Sequence, residues 1–296
     1  MEDEGYSTHI CESAFDAMSK LKAYDFNLVI SEIELPGDNA FDLYNYLNSN
    51  YPYIPTIMTT NKNIDKFFEK IMEEGIGNVL CKPIKKDELL NLAEKLITKE
   101  NIFGLNNYMD DIIEIKKIRI SSSKQIQNAI NKTLEEIEKW GFNPKENLIV
   151  NLILNELAIN AVYHSHGLTK EKNLRTPVQL NQGQFVDLFF AWNKFSYGIS
   201  INDYNGKLTK MKILESIMSI IKQDNLIEEA AETGEDITQS ISVSGRGIDL
   251  VRKLSSQLFF IIKENFRTEI ALIFEKDFHI DEDSHSSLKI IEDFGN

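Results

Sequence analysis

Cysteine is nearly absent from these 296 residues: Cys11 and Cys81 stand alone, each inside an apolar, strand-like run. Two isolated thiols supply neither a disulfide framework nor metal-ligand spacing, so both read as small core residues. Basic residues are short as well, 32 Lys and Arg against 46 Asp and Glu, for a formal net charge of −14. A chain of that sign repels phosphate backbones and anionic membranes, so no nucleic-acid partner is expected, and the acidity reads as solubility. The opening MEDEGYSTH has no basic segment followed by an apolar one, so no signal peptide is expected. No long hydrophobic run is present either. The most apolar helix candidate, 147–163, carries Asn151, Asn155, Glu156 and Asn160, which exclude a membrane span. These absences imply a cytoplasmic protein without a membrane partner.

What is present divides in two. Residues 6–98 alternate short β-type runs (YSTHIC from Tyr6, NLVISE from Asn27, IPTIMTT from Ile54, NVLCK from Asn78) with helical patterns at 13–24, 41–49, 63–74 and 86–98. Such alternation predicts an α/β domain over 1–98, with a parallel sheet covered on both faces. Pro36–Gly37 and Pro83 punctuate its loops. The polar stretch 99–111 reads as a linker. Beyond it, EIKKIRI is a strand candidate, capping serines open the helix SSSKQIQNAINKTLEEIEKW, and Pro144 starts a longer one through Tyr163. Four strand-like runs follow (FVDLFFAWN, YGISIND, QLFFIIKEN, TEIALIFEK), predicting an α+β layer over 112–276. Residues 277–296 read as a mobile acidic tail.

The run NLVISEIELPGDNAFDLYNYL resembles the phosphorylation-site region of a CheY-type receiver domain, and IPTIMTT and GNVLCKPI resemble the strands carrying that family's threonine and lysine. The resemblance implies an incomplete, flavodoxin-like domain. It places Thr60 at the hydroxyl position and Lys82 as the lysine that approaches the phosphoryl group. Glu32 stands where the phospho-accepting aspartate would be. One methylene longer, it misplaces the nucleophilic oxygen for in-line attack and presents a fixed negative charge instead. The chain also opens at what resembles the family's second strand. The first, with its magnesium-holding acidic pair, would be central in the order 2-1-3-4-5. Either the second strand has moved in beside the third, or the true start lies upstream. Four strands are expected, with YSTHIC paired to NLVISE or displaced, in a module that serves docking or dimerisation.

In LILNELAINAVYHS, Glu156, Asn160 and His164 recur at i, i+4 and i+8, on one helix face, while Leu152, Ile153, Leu157 and Ile159 anchor the helix. An asparagine oxygen suits Mg²⁺, and a carboxylate one turn earlier can polarise a hydroxyl. Asp203 at a strand end can accept from an adenine amino group. Gly245 and Gly247 in SVSGRGIDL lead into a helix whose amides can cradle phosphates. With Thr268, this set resembles the GHKL (Bergerat-type) ATPase sandwich, and within it the RsbW-type anti-sigma-factor serine kinases. The resemblance implies Glu156 as catalytic base, Asn160 as magnesium ligand, Asp203 and Thr268 at the adenine, Asn205 and Gly206 in the first glycine box, and Ser244, Gly245, Arg246 and Gly247 in the second. Lys207 departs from that first box. Residues 208–243 read as a lid, and His164 as structural. The expectation is an ATP- and Mg²⁺-binding regulator, a homodimer, that phosphorylates or holds a sigma factor or its antagonist. Two alternatives remain: an ATP-dependent binding module that transfers no phosphate, and a response-regulator-type protein with a dead ATP site.

Overall fold

A computed structural model describes residues 1–35, 39–142, 147–233, 252, 255–276 and 286–293. Two compact units emerge: Met1–Asn101 with His285–Ile291, and Ile102–Ser284 with Glu292–Asn296.

In the first unit, β1 (Val29–Glu32), β2 (Thr56–Thr60) and β3 (Asn78–Cys81) run parallel in that order, with helices α1 (Ala14–Leu21), α2 (Ala40–Asn50), α3 (Phe68–Glu73) and α4 (Lys86–Thr98) between and after them. Ser13 caps α1 by accepting from the Asp16 amide at 3.1 Å, and Asn39 caps α2 by accepting from the Phe41 amide at 3.0 Å. Ala14 and Leu21 of α1 pack with Leu43, Leu47 and Ile54. All four residues of β3 are buried, as a strand covered on both faces requires.

Two sequence expectations need correction here. Tyr6–Cys11 forms no strand. The His9 ring packs on Tyr24 and Phe26, with centroids 4.8 and 5.3 Å away, and Ile10 is 84% exposed. With no strand between this run and β1, it has no ladder to join. Among the described strands only β2 pairs with β1, and a cavity of about 380 Å³ opens between β1 and the stretch around His9–Ser13. The fourth strand comes instead from the presumed tail: β9 (Leu288–Glu292) runs antiparallel to β3. Ile290 N–H donates to Asn78 Oδ1 at 3.1 Å, and buried Lys289 donates to Glu88 of α4 at 2.5 Å. An edge that would otherwise offer bare backbone is thereby covered.

In the second unit, β4 (Glu114–Ile120), β5 (Val186–Trp192), β6 (Ser196–Asp203), β7 (Gln257–Lys263) and β8 (Arg267–Glu275) form an antiparallel sheet in the order β4-β5-β6-β8-β7. Helices α5 (Ile126–Lys139) and α6 (Asn147–Ile159) pack together, and α5 lies against β4 and β5. Ser122 and Gln125 form a reciprocal capping box ahead of α5.

Every residue of β6 is buried, which demands cover on both faces. One cover comes from the stretch read as a linker: Ile102, Leu105, Tyr108 and Met109 are buried, and the Tyr108 ring lies 4.5 Å from that of Phe259. A side chain at Gly198 would overlap Met109 Sδ, so glycine there admits the covering segment. The stretch 99–111 therefore divides at Ile102, from which the chain belongs to the second unit.

Two further differences bear on the site. Leu152 is 55% exposed, and Val150, Ile153, Leu154, Leu157 and Ala158 anchor α6 instead. Helix α8 (Lys210–Thr233) buries Ile213, Leu214, Ile217 and Ile221, so its first turns are core rather than lid. None of the described helices is long and apolar enough to cross a membrane.

Candidate functional site

Glu32 ends β1, Thr60 ends β2, and Lys82 follows β3, so parallel pairing brings the three loop ends to one side of the sheet. Lys82 Nζ donates to Glu32 Oε1 at 2.7 Å, and Asn61 Nδ2 reaches the same oxygen at 3.3 Å. Thr60 is not part of that pair. Its buried hydroxyl donates to Glu34 Oε1 at 3.1 Å and accepts from the Lys62 amide at 3.0 Å. The longer carboxylate at position 32 thus spans the site to the lysine, and a second glutamate engages the threonine. Sequence reasoning missed Glu34 and Asn61. Their signal was the adjacency of Glu34 to Glu32 and of Asn61 to Thr60 at the ends of neighbouring strands.

In the second unit, Glu156, Asn160, His164, Asp203, Lys207 and Thr268 line one cavity of about 460 Å³ with Leu157, Ile201, Ile270 and the unforeseen Lys172 and Lys212. α6 ends at Ile159, and Asn160–His164 continue as a wider π-helical turn, a form that often marks functional sites. Asn160 Nδ2 donates to Glu156 Oε1 at 3.5 Å. Lys172, from the short helix α7 (Thr169–Asn173), sends its ammonium into this pair: Nζ lies 2.7 Å from Asn160 Oδ1, 3.8 Å from Glu156 Oε1 and 3.1 Å from His164 Nε2. Burial, and then the Lys172 charge, hold the His164 imidazole below its ordinary pKa and favour its neutral form. Lys172 and Lys212 had one signal, charge: each belongs to a basic pair, Lys170/Lys172 and Lys210/Lys212, in an acidic chain.

Asp203 and Thr268 face each other in register across β6 and β8. Asp203 Oδ1 accepts from the Asn205 and Gly206 amides, both at 3.0 Å. Burial raises its pKa, opposed by these two hydrogen bonds. The Thr268 hydroxyl is buried beside the Asp203 carboxyl, whose pKa it helps to hold down. Gly206 and Asn205 do not line the cavity. Gly206 has φ +56°, and a Cβ there would meet Lys263 O at 2.5 Å and Phe266 N at 2.6 Å, so the β7–β8 hairpin accounts for it. Ser244, Gly245, Arg246 and Gly247 lie outside the described residues.

The cavity has the size of a small-molecule site. Its lining combines lysines 172, 207 and 212 with Glu156, Asp203 and Thr268, a mixture of groups compatible with a polar, anionic ligand. Magnesium fits less well. The oxygen expected to hold it, Asn160 Oδ1, already takes a charged hydrogen bond from Lys172.

Residues 1–94 match the family model of the response regulator receiver domain. The chain is 25% identical over 157 residues to the probable transcriptional regulator ycf29 of Pyropia yezoensis, covering 52% of this chain and 62% of that relative. It is 26% identical over 95 residues to the DNA-binding transcriptional regulator NtrC of Rhizobium meliloti (strain 1021), covering 32% and 20%. Among solved structures, the receiver domain of NtrX from Brucella abortus aligns at 23% identity and TM-score 0.31, over 32% of this chain and 82% of that one. The chain thus spans less than two thirds of the length of either curated relative. Its N-terminal portion is a response-regulator receiver domain. These findings overturn the anti-sigma-factor kinase reading and lend no support to the GHKL assignment, because the relatives are response regulators and transcriptional regulators. They also overturn the sigma-factor partner and the exclusion of nucleic acid, since a relative is named as DNA-binding.

Proposed function

We propose that the chain is a response-regulator-type signalling protein acting in transcriptional control, in which the receiver unit is held in one state without phosphorylation and the second unit responds to ATP. The observation that carries this reading is the 2.7 Å pair between Lys82 and Glu32. The lysine that the receiver resemblance assigns to an incoming phosphoryl group is already engaged by a carboxylate of the chain itself. Glutamate at that position sits one methylene too far forward for in-line attack on a donor. The cavity lined by Glu156, Asn160, Asp203 and Thr268 supports the nucleotide half. The process served, transcription, is extended from the names of the relatives.

The test is direct. The full chain is incubated with acetyl phosphate and Mg²⁺, then assayed for acid-labile phosphate and for movement of the Lys82 amide resonance. No incorporation and no movement are expected. Stoichiometric acid-labile phosphate lost in Glu32→Gln would refute the held-state reading.

A further inference from the structure

The second unit presents an ammonium at Asn160, the residue expected from the sequence to be a magnesium ligand. Lys172 Nζ sits 2.7 Å from Asn160 Oδ1 and 3.8 Å from Glu156 Oε1, so it contacts both groups that would bind or orient a divalent cation. Its side chain is 21% exposed and that of Glu156 26%, so solvent screens the group only in part. A third contact, to His164 Nε2 at 3.1 Å, adds to these, and the turn into α7 is tied to the π-helical turn: Leu168 N–H donates to Tyr163 O at 2.8 Å, and Tyr163 Oη donates to Thr176 O at 2.9 Å. Two further lysines complete the lining. Lys207 is tethered to Asn265 Oδ1 at 2.8 Å, and Lys212 donates to the Lys207 carbonyl at 3.2 Å.

We infer that Lys172 is a resident cation, and that this cavity binds the polyphosphate of a nucleoside triphosphate without magnesium. This rests on the nucleotide reading of the cavity given above. A triphosphate entering with its adenine toward Asp203 and Thr268 brings up to four negative charges. Lys172, Lys207 and Lys212 offer three positive ones against the Glu156 carboxylate in the same lining, and burial raises the Asp203 pKa. Magnesium prefers near-octahedral oxygen coordination and gives up water reluctantly. To reach Asn160 Oδ1 it would have to displace a hydrogen-bonded ammonium and then lie close to it, like charge against like. The lysine needs neither step. An ammonium neutralises phosphate charge but, unlike a metal, cannot bridge two phosphate oxygens in fixed geometry, so this arrangement favours holding the nucleotide over cleaving it.

The experiment is isothermal titration of the full chain with ATP, once in EDTA and once with excess Mg²⁺. Dissociation constants within about threefold are expected. Lys172→Met should weaken binding in EDTA about 10- to 100-fold, the loss of one or more charge-assisted hydrogen bonds. Magnesium should restore most of that, because Asn160 and Glu156 are then free to take it. Wild-type affinity at least tenfold higher with magnesium overturns the inference and leaves the nucleotide reading standing. No binding under either condition overturns both. If Lys172→Met does not fold, the two wild-type titrations decide alone.

Discussion

The GHKL resemblance puts Gly206 in a phosphate-binding glycine box, and its surroundings give it another job. It has φ +56°, and a Cβ there would meet three backbone atoms of the β7–β8 hairpin: Lys263 O at 2.5 Å, Phe266 N at 2.6 Å and Arg267 N at 2.9 Å. The closest is roughly 1 Å inside ordinary contact distance. None of the three can swing aside as a side-chain end could. Gly206→Ala therefore carries two penalties. Holding an L-residue in the left-handed region costs about 1–2 kcal/mol, and overpacking against the hairpin costs about 1–3 kcal/mol. Together, roughly 2–5 kcal/mol corresponds to a fall of about 4–20 °C in the Tm of a unit this size. Scanning calorimetry of the full chain measures it, with the first unit as internal reference. Gly206→Asn separates the two terms: asparagine tolerates the left-handed conformation but brings the same Cβ, so it should lose mainly the overpacking part, about 1–3 kcal/mol. A drop below about 2 °C for Gly206→Ala, with weakened ATP binding, would refute this reasoning and return the glycine to the ligand.

Two other perturbations test the electrostatics. Glu32→Gln should cost the first unit no more than about 1 kcal/mol in urea unfolding, because Glu32 and Lys82 are 33% and 35% exposed and solvent screens the pair; a loss above about 2 kcal/mol would contradict that. Hydrogen bonds from Lys116, and then from Lys139, hold the Glu136 carboxyl down to about 2. A folded pKa below the ordinary 4.5 means that the stability it contributes is complete above 4.5 and is lost as the pH falls toward 2. Carboxyl ¹³C NMR should find that titration near 2, and one near 4.5 would show that the two lysines leave Glu136 unpaired in solution.

Elements with strong local periodicity were legible in the sequence. The runs around Val29, Thr56 and Asn78 form strands, and the helices between them carry their own caps, Ser13 and Asn39 among them. Chemistry carried by residue type was legible too: Glu156, Asn160, Asp203 and Thr268 meet in one cavity, although Asp203 and Thr268 are separated in sequence by a long helix and a hairpin strand. Elements whose state depends on a distant neighbour were not legible. Tyr6–Cys11 has β-type composition but no adjacent strand, so it stays unpaired. Leu288–Glu292 sits in a charged tail and becomes a strand because β3 offers an edge. The stretch 102–109 carries apolar residues without strand or helix periodicity inside an otherwise polar run, yet Leu105, Tyr108 and Met109 cover the second face of β6. Lys172 carries no motif at all; only the turn after Asn160 aims it at the carboxamide.

The two units arrive at one chemical device from different folds. In the first, an ammonium at 2.7 Å neutralises the residue standing at the phospho-acceptor position. In the second, an ammonium at 2.7 Å donates to the carboxamide standing at the expected metal position. On the proposed reading, each lysine stands in for an exchangeable component, a phosphoryl group in one case and a divalent cation in the other. The pairs differ in what can break them. Lys82 and Glu32 are each about one-third exposed, so their attraction is weak and screened by salt. Lys172 contacts three groups, Asn160, Glu156 and His164, and lines the cavity of the second unit. A triphosphate would compete for this ammonium with stronger acceptors than a neutral carboxamide. Of the two lysines, Lys172 is therefore the one whose partners change when ligand arrives. On the proposed reading, the signal enters through the second unit, and the receiver contributes a constant surface.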